Sequence, residues 1–403
     1  MADETGFQPD WATSPAETIR RALIRRGWSI ADLAHAMGAE EDVASALAEG
    51  EIEIDERNAR GLAVAFNTSA SFWQERQKQY SNDADRLKQA SIEKAWLREL
   101  PLRDMLKFGW IKAYQNDAQK ISAVLQFFGV SDLSEWKSRY RTDLAAAAFR
   151  TSLTFTSNPV STAAWLRWAD LQAAEIVCSP WDADLFGSAL RKIRGLTRRK
   201  HPDQFLPELI RICAECGVAV VIARAPEGCR ASGATRFISP SKAMIVMSFR
   251  YRSDDHFWFT FFHEAAHLLL HGKKALFLED GSDVTAEEES EANEFASTLL
   301  IPPNSKIEFE RLGASIKNIL RFAMKEGISP GVVVGQLQHH DRLAHNRLNR
   351  LKRRYVWTGS SDGKASPLCG RWSISAAEKP LKCCAQQIVQ SVSFDMHART
   401  ALS

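Results

Sequence analysis

The stretch Phe257 to Leu270 is apolar almost all the way round a helix, yet it carries His263, Glu264 and His267 near its middle. A helix with no polar face must be surrounded by other elements, so this segment predicts the centre of a domain. Imidazoles and a carboxylate carried into such an interior are costly unless they find partners there. Residues four apart on a helix project from one side, so His263 and His267 can converge on one ion. Neutral imidazoles are ordinary zinc ligands, and Glu264 lies beside them, where it can take a proton from water. The run His263-Glu264-Ala265-Ala266-His267 therefore predicts a Zn2+ site with Glu264 as the catalytic base.

A catalytic zinc keeps three protein donors and one open position, so a third donor must come from another element. His271 continues the stripe one turn further, too far along a straight helix to reach the same ion. It reads as a residue that supports a ligand or lies at the surface. The amphipathic run Glu287 to Leu300, closed by Pro302-Pro303, offers Glu287, Glu288, Glu289 and Glu291. Acids are also what the dipole of a helix start favours, so no one of them is singled out by that alone. Glu289 and Asn293 are four apart, and a ligating Glu there would share its face with an amide able to orient an imidazole.

With 403 residues the chain is long enough for two or three domains. Residues 1–83 read as short helices broken by Gly27, Gly38 and Gly50, with Ile30 to Met37 and Glu41 to Leu47 joined by a glycine turn, the pattern of a helix-turn-helix. Residues 84–200 read as a helical connecting region, including Ala145 to Phe149 and Ala163 to Ala174, with a basic end from Arg191 to Lys200. Residues 201–357 alternate: a helix around Phe205 to Cys216, β-rich runs Val218 to Ala223 and Ala243 to Phe249, then the apolar helix. Residues 358–403 turn to Ser, Gly, Lys and Cys without a sustained period and read as a disordered tail. The expected class is α+β, mainly helical, with an N-terminal helix-turn-helix bundle and a second domain holding a small sheet.

Three stretches carry a family resemblance: Ser232 to Arg236, Arg250 to Glu264, and Glu289-Ser290-Glu291-Ala292-Asn293-Glu294-Phe295-Ala296. They resemble the ImmA/IrrE metallopeptidase family, and the N-terminal zone is similar to the antitoxin-type XRE helix-turn-helix found fused to it. The resemblance extends to about Trp357. It implies a zincin-like domain of gluzincin type, with His263, His267 and Glu289 as metal ligands and Glu264 as base. Glu289 is selected over Glu291 by its place before Ala292-Asn293.

The resemblance implies a zinc-dependent metalloendopeptidase coupled to transcriptional regulation, its substrate a protein such as a cognate repressor. The alternative is a DNA-binding antitoxin or regulator whose metal domain senses or docks without cleaving. A net charge of +3 is too small to argue nucleic-acid binding in bulk, so DNA could be bound only through residues 14–66. There Glu40, Glu41 and Asp42 open the recognition helix and would repel phosphate, while Arg20, Arg21, Arg25 and Arg26 could grip it. A homodimer is expected if that module reads a palindrome. Seven irregularly spaced cysteines argue against a disulfide framework, and Cys213-Ala214-Glu215-Cys216 reads as a helix with two buried thiols. No apolar run predicts a signal peptide or membrane span, which makes the cytoplasm the expected location, with no membrane partner. His339 and His340 need no metal role. Arg250 and Tyr251 are near enough in sequence to the metal helix to be candidates for stabilising a developing oxyanion.

Overall fold

The computed structural model describes residues 9–140, 158–271, 286–359 and 372–376. The chain divides into two compact units, Met1–Glu99 and Leu100–Ser403.

In the first unit, α1 (Pro15–Arg26), α2 (Ile30–Met37), α3 (Glu41–Glu49) and α4 (Glu56–Phe66) are followed by one long helix, α5 (Ala70–Glu99). The long helix runs straight through Asp83, where the texture of the sequence changes, because neither Gly nor Pro interrupts it. Its start is drawn into the core of the bundle, where Trp73 packs with Ile19, Leu33, Leu47, Leu62 and Phe66. Ser29 and Asp32 form a reciprocal capping box on α2, and Gly38 ends that helix at φ 64°, a left-handed conformation that glycine adopts without strain. Helix α3 opens on Glu40, whose side chain makes no capping hydrogen bond.

The second unit is mainly helical with a small sheet. Helices α6 (Leu102–Phe108), α7 (Asp117–Phe128), α8 (Leu133–Arg139), α9 (Pro159–Glu175), α10 (Ala183–Leu196) and α11 (Pro202–Glu215) precede β1 (Val218–Ile222), β2 (Gly233–Ser239) and β3 (Lys242–Met247). The strand order is β1-β3-β2, with β3 parallel to β1 and antiparallel to β2. All five residues of β1 are buried, as expected of an apolar run without alternation that is covered on both faces. Helix α9 packs on β1 and β3, and Trp165 donates from Nε1 to the Ala223 carbonyl at 2.9 Å.

Helix α12 (Asp254–Leu270) packs against β2, β3, α10, α13 (Ala286–Leu300) and α16 (Pro330–His339), the last reached through α14 (Pro303–Glu310) and α15 (Ile316–Glu326). Surrounded along its middle, it needs no polar face there: Trp258, Phe261, Phe262, Ala265 and Ala266 are all fully buried. Among the described residues no helix is long and apolar enough to cross a membrane.

After Trp357 the sequence predicts no regular structure, but Trp372–Ala376, β5, pairs antiparallel with Tyr355–Gly359, β4. Trp372, Ile374 and Ala376 alternate with serines, a short period-two pattern inside a stretch that otherwise has none. The rest of that tail beyond Gly359, and the pattern Ala145 to Phe149, lie outside the described residues.

The start of α12 is fastened by buried charge. Asp254 accepts from the Ser329 hydroxyl at 2.5 Å and from the Arg353 backbone N–H at 2.9 Å. Asp255 pairs with Lys352 at 2.6 Å, with both side chains at most 7% exposed. Gly331 lets α16 approach this closely, since a Cβ there would lie 2.4 Å from an Asp254 carboxylate oxygen. Burial pushes the Asp254 carboxyl up to about 6, against the hydrogen bonds from Ser329 and Arg353. Between roughly pH 4 and 6 the folded state therefore holds a proton that the unfolded chain has lost, and stability falls as pH rises through that window, by about 3 kcal/mol. Urea-unfolding series of the wild type and Asp254→Asn are expected to converge or cross by about that amount in the variant's favour between pH 4 and 7. A pH-independent difference would refute the assignment.

Candidate metal centre

Helices α12 and α13 run antiparallel at the site, so that one turn along α12 is met by one turn back along α13. His263 Nδ1 lies 3.1 Å from Asn293 Oδ1, and His267, one turn on, faces Glu289. The other ring nitrogens converge. His263 Nε2 is 3.1 Å from His267 Nε2 and 3.2 Å from Glu289 Oε2, and His267 Nε2 is 3.5 Å from Glu289 Oε1. Among the described residues these three side chains form the group able to hold a metal ion, with donor atoms all within 4.8 Å of one another.

Chemistry shows that the donors fit a cation. Asn293 Oδ1 accepts from the proton on His263 Nδ1, so a neutral His263 aims its Nε2 lone pair at the carboxylate of Glu289 and at the other imidazole. Facing lone pairs repel, and only positive charge between them relieves the contact. A tetrahedral zinc about 2.1 Å from each ligand spaces its ligands about 3.4 Å apart, close to what the side chains already show. In the metal-free protein a proton is the substitute. Burial pulls His263 down, but the hydrogen bond to Glu289 and the charges of Glu264 and Glu289 outweigh it and leave the imidazole above its ordinary value.

The imidazoles are nearly enclosed, at 15% and 13% exposure, whereas Glu289 is 47% exposed. The centre therefore opens on the Glu289 side. Glu264 is turned inward and buried against β2. Gly233 makes room for it: a Cβ there would fall 2.9 Å from Glu264 Cγ and Oε1 and 2.8 Å from Thr260 Cγ2.

Other residues singled out by sequence fall elsewhere. Tyr251 stacks on His256 at 4.3 Å, with Arg250 over its ring, at the start of α12 and about 10 Å along the axis from His263. Cys213 and Cys216 are buried free thiols whose pKa values burial raises, which makes them poor nucleophiles. His339 lies nearer the metal helix than its polar segment suggests: its ring is 5.3 Å from Phe259, which sits 6.3 Å from His263. Only the packing of α16 on α12 reveals this.

Residues 218–333 match the family model Peptidase_M78, the IrrE N-terminal-like domain. No curated protein and no solved structure matches the chain. The family match supports a metallopeptidase-type domain of the ImmA/IrrE family in this part of the chain, and it spans every residue of the cluster and Glu264.

Protons and metal compete for the same lone pairs. Because His263 is raised, its proton stabilises the metal-free protein below its unfolded value, and that contribution is lost as pH rises through the folded one. Zinc affinity measured against a competing chelator is thus expected to fall about tenfold per unit as pH drops below the neutral range. At fixed pH, Glu289→Ala is expected to weaken it by at least about 100-fold and Glu287→Ala to leave it unchanged. Equal effects of the two substitutions would sink the ligand assignment.

Proposed function

We propose that the chain is a zinc-dependent metalloendopeptidase of the cytoplasm, coupled to transcriptional regulation, that hydrolyses a peptide bond in a protein such as a cognate repressor. One observation carries this reading: a His-His-Glu cluster, open on its Glu289 side, with a buried carboxylate, Glu264, next to the first imidazole. In this reading residues 201–357 are the zincin-like peptidase domain, and residues 14–66 are a helix-turn-helix of the XRE antitoxin type.

Zinc held by His263, His267 and Glu289 would polarise the scissile carbonyl and acidify the attacking water. Glu264 takes the proton from water as the new C–O bond forms, then passes it to the amide nitrogen as the C–N bond breaks. Gly233 keeps the space in which that carboxylate sits. Asn293 fixes the His263 ring by holding its Nδ1 proton.

The N-terminal unit suits a protein partner or a second copy better than DNA. Its α3 opens with Glu40, Glu41 and Asp42. Three of the four arginines that might grip phosphate are engaged: Arg20 and Arg21 pair with Glu17, and Arg26 donates to the Ala65 and Phe66 carbonyls at the end of α4. The competing reading, a DNA-binding regulator that docks without cleaving, draws no support from that surface.

The test is to incubate the full chain, Glu264→Gln and Gly233→Ala with the repressor-like proteins encoded beside its gene, and to measure bound zinc in each. All three are expected to hold about one zinc. Cleavage should fall by several orders of magnitude in Glu264→Gln and by roughly 10²-fold in Gly233→Ala, where the base is displaced by about an ångström. Zinc without cleavage in the wild type would favour the regulator, and an absence of zinc would end both metal-based readings.

A further inference from the structure

His271 and Glu291 belong to no ligand set, yet His271 lies within hydrogen-bonding reach of His267, and Glu291 within reach of His271. His271 closes helix α12, its N–H bonded to the His267 carbonyl at 3.0 Å. Its side chain is only 11% exposed, although the helix ends there. His271 Nδ1 lies 3.1 Å from His267 Nδ1, and His271 Nε2 lies 2.9 Å from Glu291 Oε2.

One arrangement of protons satisfies all of these contacts. If His267 offers Nε2 to a metal, its proton must sit on Nδ1. His271 Nδ1 must then accept that proton with its lone pair, which places the His271 proton on Nε2, where it faces the Glu291 carboxylate. The opposite tautomer of His271 would set two N–H groups head to head and turn a lone pair toward a carboxylate. We infer that Glu291 and His271 form a relay that locks His267 in its metal-binding tautomer, acting as positioning residues for the centre. The inference rests on the zinc reading above and deepens it. It gives His267 what Asn293 gives His263, so each imidazole has its own partner, and helix α13 supplies the polar group that ends each chain of contacts. The negative charge of Glu291, relayed through two rings, also makes His267 a stronger electron donor to a cation.

The experiment uses the full chain in metal-free and zinc-loaded forms, with zinc affinity read by chelator competition and histidine tautomers by ¹⁵N NMR. In the wild type, His267 is expected as the Nδ1–H form and His271 as the Nε2–H form. His271→Phe keeps a ring but removes the acceptor, and zinc should bind about 10- to 100-fold more weakly. His271→Gln, which restores an acceptor oxygen, should recover most of the loss. A structural role alone would not produce this rescue or the tautomer pattern. Unchanged zinc affinity in His271→Phe, or an Nδ1–H proton on His271, overturns the relay while leaving the metal reading intact. A wild type that takes up no zinc overturns both. Should His271→Phe fail to fold, the wild-type tautomers and the glutamine variant still decide.

Discussion

A helix with no polar face has to be enclosed, and α12 is enclosed along its middle while carrying the imidazoles of His263 and His267 and the carboxylates of Asp254, Asp255 and Glu264. Each of these groups loses hydration that only a specific partner replaces. The two ends of the helix meet this demand differently. At its start the partners are protein: the Ser329 hydroxyl at the cap of α16, and the Arg353 backbone and Lys352 ammonium from the segment after that helix. Toward its end the protein supplies Asn293 and His271 to the outer nitrogens, and leaves the inner nitrogens converging with Glu289. The inner nitrogens are where protein partners give way to a place for a cation.

Helix α13 must hold its register for this to work. A slip of one residue rotates a helix by about 100°, which would carry Glu289 off the site and bring the buried Glu288 toward it. Arg194 guards against such movement. Its guanidinium donates to the Leu300 carbonyl at the end of α13 and to the Glu326 carbonyl at the end of α15, and it pairs with Glu326 at 3.2 Å. One cation answers the unsatisfied carbonyls of two helix ends. The acids at the head of α13 are therefore positioned from its tail.

The parts of this molecule that were legible in sequence are those where one physical period dominates. The apolar helix with His263, Glu264 and His267 was readable because a 3.6-residue period and a metal-ligand spacing coincide. The strands β1 and β3 are readable as short apolar runs, whereas β2 is not: only two of its seven residues are buried, and it begins on a glycine kept for Glu264 rather than for the strand. The choice of Glu289 among four nearby acids came from a motif, because spacing along one helix says nothing about which turn faces a neighbour. Arg194 was hidden inside a basic run, where its sequence context is that of a solvated face. Long-range partners such as Ser329 for Asp254 leave no local trace, since the hydroxyl also caps its own helix by accepting from the Gly331 N–H.

The matched segment, residues 218–333, contains the cluster but not everything that holds it. Lys352 and Arg353 fasten the start of α12, Arg194 fastens the end of α13, and Trp165 ties α9 to the end of β1; all four lie outside it. Removing Lys352 would leave Asp255 buried without its charge partner, a change that typically costs 3–5 kcal/mol, comparable to much of a domain's whole stability. The smallest unit able to present His263, His267 and Glu289 in this geometry therefore reaches from α9 to at least β4. The three residues of the cluster lie close together in the sequence, and the constraints that aim them come from both sides of it.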